Sequence, residues 1–319
     1  MMAAFAAIGP LFLVLAVGGL ASFLPRMRTV HPALTSFVFY FALPTFLFDA
    51  VVTAPVSEGV PWGFVLTACG VTGCVAVLSW ITSMLSGPTG RRIAAPLSLA
   101  ASYGNVGYLG VPIALSTLGP DAGLAAAIGQ LLHNLMFMLG YPTVRAFAAN
   151  HSSDSSARKR VWSAVKKSLL TSPITLSVAL GITAALLEVP LPALVSSTLG
   201  LFSQTAVPLA MFAVGLTLPT AVLDLVKGAI PAIPLLLGTT IKMLLLPVCT
   251  AVAVTQLAPS LEPTWSGTLV LMAAMPTSTT AFILSQQEDS DPSIASSMVA
   301  VTSMLGMVSI PLTLTFLVI

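Results

Sequence analysis

Few side chains in this 319-residue sequence could do chemistry, and several of those lie in the middle of long apolar segments. The most unusual stretch is Ser102-Tyr103-Gly104-Asn105-Val106-Gly107-Tyr108-Leu109-Gly110-Val111-Pro112, which sets three glycines, an asparagine and a proline into an apolar run. Proline removes a backbone donor and clashes with the preceding turn, and the residue before it is biased toward extended geometry. The expected product is two half-helices joined by unwound backbone. Met275-Pro276-Thr277-Ser278-Thr279-Thr280 repeats the device, with hydroxyls that can satisfy the peptide groups a break sets free. Two such helices crossing would bring positive dipole ends together, an arrangement suited to a carboxylate. The plainer reading is that glycine and proline only kink closely packed helices.

The remaining polar candidates are isolated. Lys242 stands roughly 20 Å along its apolar segment, too deep to snorkel to an interface. It reads either as a structural tether to the carbonyl end of a broken helix or as a group that attracts an anion or balances charge in coupling. Asp49 lies near the end of its segment, as an interfacial acid or a proton-coupling group. His133 and Asn134 follow Gln130 by one helical turn and share a face, which makes them either interhelical hydrogen-bonders or pocket-lining residues. Cys69, Cys74 and Cys249 all fall in apolar runs and form neither a disulfide framework nor a metal site. No metal and no organic cofactor is expected.

The elements that must position these residues follow from composition. Hydrophobic residues make up 56% of the chain and charged residues 7%, with a mean hydropathy of +1.00, so the solvent is lipid. In lipid every peptide group must be paired internally, and apolar runs of about 20 residues favour helices over barrel strands. Ten spans are expected near 6–24, 32–54, 61–85, 93–118, 122–147, 168–188, 192–222, 229–257, 265–286 and 292–318. The first run lacks a basic leader and a small-residue cleavage pattern, so it is read as a retained span. A net charge of +2, with basic residues grouped in short loops, gives no sign of nucleic acid.

Loop charge tests the count independently. Arg26 and Arg28 lie in the first loop, Arg91 and Arg92 in the third, six basic residues from Arg145 to Lys167 in the fifth, and Lys227 in the seventh. The even-numbered loops carry only Glu58, Asp121, Glu188 and Glu262. Cytoplasmic loops are enriched in Lys and Arg, which predicts both termini outside the cell. The ninth loop, with Glu288, Asp289 and Asp291, is inside by parity without positive support. Residues 150–167 are the expected cytoplasmic linker between a first repeat, 1–149, and a second, 168–319. Five spans per half is odd, so a duplicated unit must enter the membrane upside down. An offset of 164 residues pairs Pro44 with Pro208, Pro55 with Pro219 and Pro112 with Pro276, while Asn105 meets Leu269 and Lys242 meets Leu78. The fold class is thus an all-α polytopic membrane protein, ten helices in a 5+5 inverted repeat with helices four and nine broken and crossing.

Asn105, Gly110 and Pro112, spaced N-x4-G-x-P, resemble the fourth-span motif of the auxin efflux carrier family, which includes plant PIN proteins and bacterial carboxylate carriers. Phe41-Ala42-Leu43-Pro44 resembles that family's second helix, and Val207-Pro208 through Leu216 its seventh. Met275-Pro276 through Phe282, with Asp291-Pro292 and the stretch from Ser296 to Pro311, resembles its last two helices. The likeness covers nearly the whole chain; it departs in a linker of about 18 residues where many plant carriers have a long loop, and in Glu288 where many relatives have tyrosine. The resemblance implies a fold similar to bile-acid sodium symporters, with a panel of spans one, two, six and seven and a core of the others. It also implies that Asn105 faces an organic anion at the crossover.

The expected function is a secondary transporter of small organic anions, carboxylates in particular, located in the cell membrane as a multi-pass protein and working by alternating access. It is not expected to be an enzyme. Substrate-binding candidates are Asn105, Gly110, Pro112, Pro276, Thr277, His133 and Asn134; Lys242 and Asp49 are candidates for coupling or charge balance. An intramembrane enzyme, for which a Ser/Lys pair stays open, and a membrane sensor without transport activity are the alternatives. The coupling ion, proton or sodium, is not chosen by the residues. The partners expected are the substrate anion and the lipid bilayer, with a homodimer left open.

Overall fold

The computed structural model describes residues 2–54, 59–148, 172–226, 232–287 and 293–318. The expected linker 150–167 lies outside these residues, as do Pro55, Glu58, Lys227, Glu288, Asp289 and Asp291. The described residues are helical almost throughout: α1 (Met2–Ala21), α2 (Pro25–Val52), α3 (Trp62–Leu85), α4 (Gly87–Ser102), α5 (Val106–Leu118), α6 (Ala122–Ala148), α7 (Pro173–Leu186), α8 (Ala193–Val226), α9 (Ala232–Leu257), α10 (Pro263–Ala273), α11 (Thr279–Gln287) and α12 (Ser293–Val318). Six are long and apolar enough to cross a membrane by length and composition: α2, α3, α9 and α12 entire, α6 over Ala122–Pro142 and α8 over Ala193–Pro219. Shorter apolar helices run over Gly9–Ala21, Val106–Leu118 and Pro173–Leu186.

Many large apolar side chains face outward. Leu66, Leu201 and Leu236 are each 69% exposed, whereas Ser79, Thr268, Thr277 and Thr302 are fully buried. Such a surface is stable only against lipid, and the buried hydroxyls act inside the protein by bonding backbone and neighbouring helices.

Several helices carry proline in their interiors, which in a regular helix costs about 3 kcal/mol through a lost bond and a ring clash. At three of these prolines a π turn relieves it. The turns span Val38–Ala42, Val106–Gly110 and Ile241–Leu245, and each is followed two residues later by a proline: Pro44, Pro112 and Pro247. The residue before each proline bonds five back, Leu43 to Val38, Val111 to Val106 and Leu246 to Ile241. Widening the turn moves away the carbonyl that the ring would strike. Pro112 therefore sits inside a continuing helix, and the unwound residues are Tyr103 to Asn105 further upstream. Pro276, by contrast, lies within the unwound segment between α10 and α11. The basic residues Arg26 and Arg28 belong to the first turns of α2 and not to a loop, because Pro25 starts that helix and Arg28 Nε donates to the Ser22 carbonyl at 2.6 Å.

Two helix groups result. α1 packs along α8, and α2 packs on α7 and α8. In the other group α3 packs on α4 and α9, α6 on α5 and α10, and α12 on α4 and α11. The α1–α8 crossing is backbone on backbone: a Cβ on Gly18 would strike the Phe212 carbonyl, and one on Gly215 the Leu15 carbonyl. Small residues are what allow helices to approach so closely without a hydrophobic driving force.

Candidate functional site

The site is built where two helices stop and restart. α4 ends at Ser102, Tyr103 turns extended (φ −82°, ψ 100°), and α5 begins after Asn105. α10 ends at Ala273 and α11 begins at Thr279. The two unwound segments meet as a short antiparallel bridge between Gly104 and Thr277. Asn105 N–H donates to the Pro276 carbonyl at 2.7 Å, and Ser278 N–H donates to the Tyr103 carbonyl at 2.9 Å. Each break thus pairs part of the other's freed backbone, whose groups would otherwise be buried unpaired.

Four side chains complete the pairing, three of them from other helices and one, Thr277, from the bridge itself. His133 Nε2 on α6 accepts the Gly104 N–H at 2.9 Å. Thr302 Oγ1 on α12 accepts the Thr277 N–H at 2.9 Å and donates to the Met298 carbonyl at 2.6 Å. Thr277 Oγ1 donates to the Ala100 carbonyl of α4 at 2.8 Å. Lys242 Nζ, from the π turn of α9, donates to the Ala273 carbonyl at 3.1 Å. Lys242 is fully buried and its nitrogen sits at the C-terminal end of α10, where carbonyl dipoles favour a cation; among the described residues no carboxylate pairs with it. The fit at Gly104 is close: a Cβ there would lie 3.1 Å from Lys242 Nζ and 3.4 Å from the Met275 carbonyl, so a side chain would have to displace the lysine.

The candidate residues divide by position. Asn105, Pro276, Thr277, His133 and Lys242 converge on the bridge, and Asn134 joins them by accepting the Tyr103 hydroxyl at 2.9 Å. Asn105 is 4% exposed and occupies the N-cap of α5 without a capping bond from its side chain, leaving the amide uncommitted at a helix N-terminus. Gly110 and Pro112 are buried along α5, with a Gly110 Cβ position 3.2 Å from Met275 Cγ. They shape the helix after the break and do not lie in it. Asp49 lies apart, between α2 and α8, where it accepts from Ser203 Oγ at 3.5 Å.

Three participants were not among the sequence candidates. Tyr103 stacks on Phe137, with ring centroids 4.7 Å apart, and leans on His133 at 5.2 Å. Thr302 has no distinguishing sequence context in a Ser- and Thr-rich helix. Gln130 is 2% exposed, its Nε2 lies 2.8 Å from where a Gly107 Cβ would stand, and its Oε1 has no hydrogen-bond partner among the described residues. Its place one turn before His133 was the available signal. Beside the bridge lies a cavity of about 30 Å³ lined by Cys69, Thr72, Val106, His133, Thr250 and Met272 among others, with room for a water. Among the described residues no group of three His, Cys, Asp or Glu is placed to hold a metal.

A model of a family described as membrane transport protein matches residues 4–314. The chain belongs to that family. It is the family anticipated from the Asn105, Gly110 and Pro112 motif, and membership makes this a multi-pass membrane protein of a transport family. Among curated relatives, this membrane transport protein is 28% identical over 277 residues to a Rhizobium meliloti protein named "Putative malonate transporter", covering 87% of this chain and 84% of the relative. It is 25% identical over 272 residues to an "Uncharacterized transporter" from Methanothermobacter thermautotrophicus, covering 85% of this chain and 84% of the relative.

Proposed function

We propose that this protein is a secondary transporter of small organic anions, dicarboxylates such as malonate in particular, that binds its cargo at the crossover and releases it by alternating access. The observation that carries this reading is the pair of unwound segments bridged at Gly104 and Thr277, with the uncommitted Asn105 amide at the start of α5 and a buried ammonium at the end of α10. Helix N-terminal N–H groups and a nearby cation are the groups that hold a carboxylate inside a membrane. Support for the substrate class comes also from the name of the Rhizobium relative. A hydrolytic reading is disfavoured, because Lys242 donates to a carbonyl and not to a serine hydroxyl.

Within the same proposal, the chain crosses the membrane ten times as two inverted halves, 1–149 and 168–319, joined on the cytoplasmic side. Support comes from the coincidence of every expected apolar run with one helix or with two half-helices, and from the packing of α1 and α2 on α8 and of α2 on α7. In that arrangement the α3–α6 and α9–α12 group moves against the other. Purified protein in liposomes should accumulate labelled malonate or another anion of a broad panel, and Asn105→Ala should lower the initial rate at least about tenfold, the loss of one charge-assisted bond. The variant should keep the same elution profile and helical signal. No uptake of any anion by the wild type would overturn the transport reading, and full activity in Asn105→Ala would remove that residue from the site.

A further inference from the structure

We propose that His133 is the proton-binding site of the crossover: the substrate anion takes over the Gly104 N–H that the ring now accepts, and the released Nε2 takes a proton. This rests on the transport reading above. An imidazole nitrogen that accepts a hydrogen bond cannot carry a proton, so the contact from Gly104 N to His133 Nε2 at 2.9 Å fixes the ring as neutral with its hydrogen on Nδ1. A protonated ring has two donors and nothing to offer Gly104. Gly104 is itself the bridge residue, so ring protonation and the arrangement of the crossover are linked through one hydrogen bond.

The surroundings decide when the proton can bind. From α9, Lys242 places its ammonium 3.1 Å from the Cβ position of the same Gly104. From the segment after α4, Tyr103 leans on the ring at 5.2 Å, and from α6 Phe137 stands edge-on at 5.0 Å. From α3, Cys69 and Thr72 line the cavity that His133 also lines; from α5 and α10 its lining is apolar, Val106, Leu269, Met272 and Ala273. No carboxylate faces the ring from any of these. With Lys242 charged, a second positive charge at His133 is unfavourable until an anion arrives between them. A carboxylate that accepts the Gly104 N–H vacates Nε2 and compensates the charge. Anion and proton therefore bind with positive coupling, which is reciprocal, and the protein carries both. The cavity beside the ring, about 30 Å³, has room for the water that would deliver the proton.

Two measurements test this with the intact protein. Liposomes containing the protein and a trapped pH-sensitive dye are given inward malonate gradients between about pH 7 and 8.5, where both malonate carboxyls are ionised and bring no proton. Proton entry with malonate, at roughly one per anion, is expected in the wild type. Whatever malonate still enters through His133→Gln, whose amide oxygen can accept from Gly104 but takes up no proton, should do so without protons. Malonate entry without protons in the wild type overturns the inference and leaves the transport reading standing; no malonate entry overturns both; proton entry through His133→Gln removes His133 from the role. Independently, histidine ¹⁵N spectra of the wild type, which has three histidines, should show the His133 Nε2 signal change from bare to protonated on saturation with malonate. A bound spectrum with Nε2 still bare overturns the inference even if the variant is inactive.

Discussion

His133 and Thr302 do matching work at the scale of single residues: each accepts the N–H of one partner in the Gly104–Thr277 bridge, at 2.9 Å in both cases. They differ in what else they can do. Thr302 hands its own hydrogen to the Met298 carbonyl, so its single donor is committed. His133 has a second state available, the imidazolium. Thr302 should accordingly behave as a structural clamp. Thr302→Val leaves the Thr277 N–H buried and unpaired, which should lower stability by about 1–3 kcal/mol, and Thr302→Ser should restore most of it. Thermal unfolding in detergent checks this; a midpoint unchanged in the valine variant would show that Thr277 finds another acceptor.

Among the elements, proline does not by itself mark a break: Pro32, Pro96, Pro208 and Pro311 all lie inside continuous helices. The π turns ahead of Pro44, Pro112 and Pro247 let α2, α5 and α9 continue, while Pro276 stands in open backbone whose carbonyl serves Asn105. Rigidity in the α1–α8 pair comes from the opposite device, glycine. Because a Gly215 side chain would be driven into the Leu15 carbonyl, Gly215→Leu should separate the two helices at a cost of at least about 1–3 kcal/mol. Reduced yield of monodisperse protein and a lowered unfolding midpoint are the readouts. Wild-type behaviour would mean that the two helices can separate freely.

For the whole molecule, the proposed ten crossings make a topological prediction that no single helix carries. Both termini should be labelled from outside intact cells by membrane-impermeant reagents, and a reactive group placed within residues 150–167 should be labelled only after the membrane is opened. Termini on opposite sides would require an odd number of crossings and would remove the inverted-repeat proposal. Six helices are long and apolar enough to cross a membrane by length and composition. The half-helices α4 with α5 and α10 with α11 reach that length only in pairs, which is why the count depends on how a broken helix is treated.

Composition and hydropathy by themselves determined that this chain lives in lipid and is helical, because the need to pair every peptide group is a property of the solvent and acts on each segment separately. Glycine, proline and hydroxyl content located both stretches where helix gives way, and the N-x4-G-x-P spacing pointed to the family. The tertiary structure decided what meets what. Lys242 finds the Ala273 carbonyl 31 residues away, Thr277 finds Ala100 at a separation of 177, and Asp49 turns to Ser203 and away from the crossover. Such partners depend on the rotation and depth of whole helices, where a shift of one residue turns a side chain by about 100°. The position of Pro112 shows the same division. Its chemistry disturbs a regular turn, but the π turn over Val106–Gly110 that carries the helix past it is seen only in the structure.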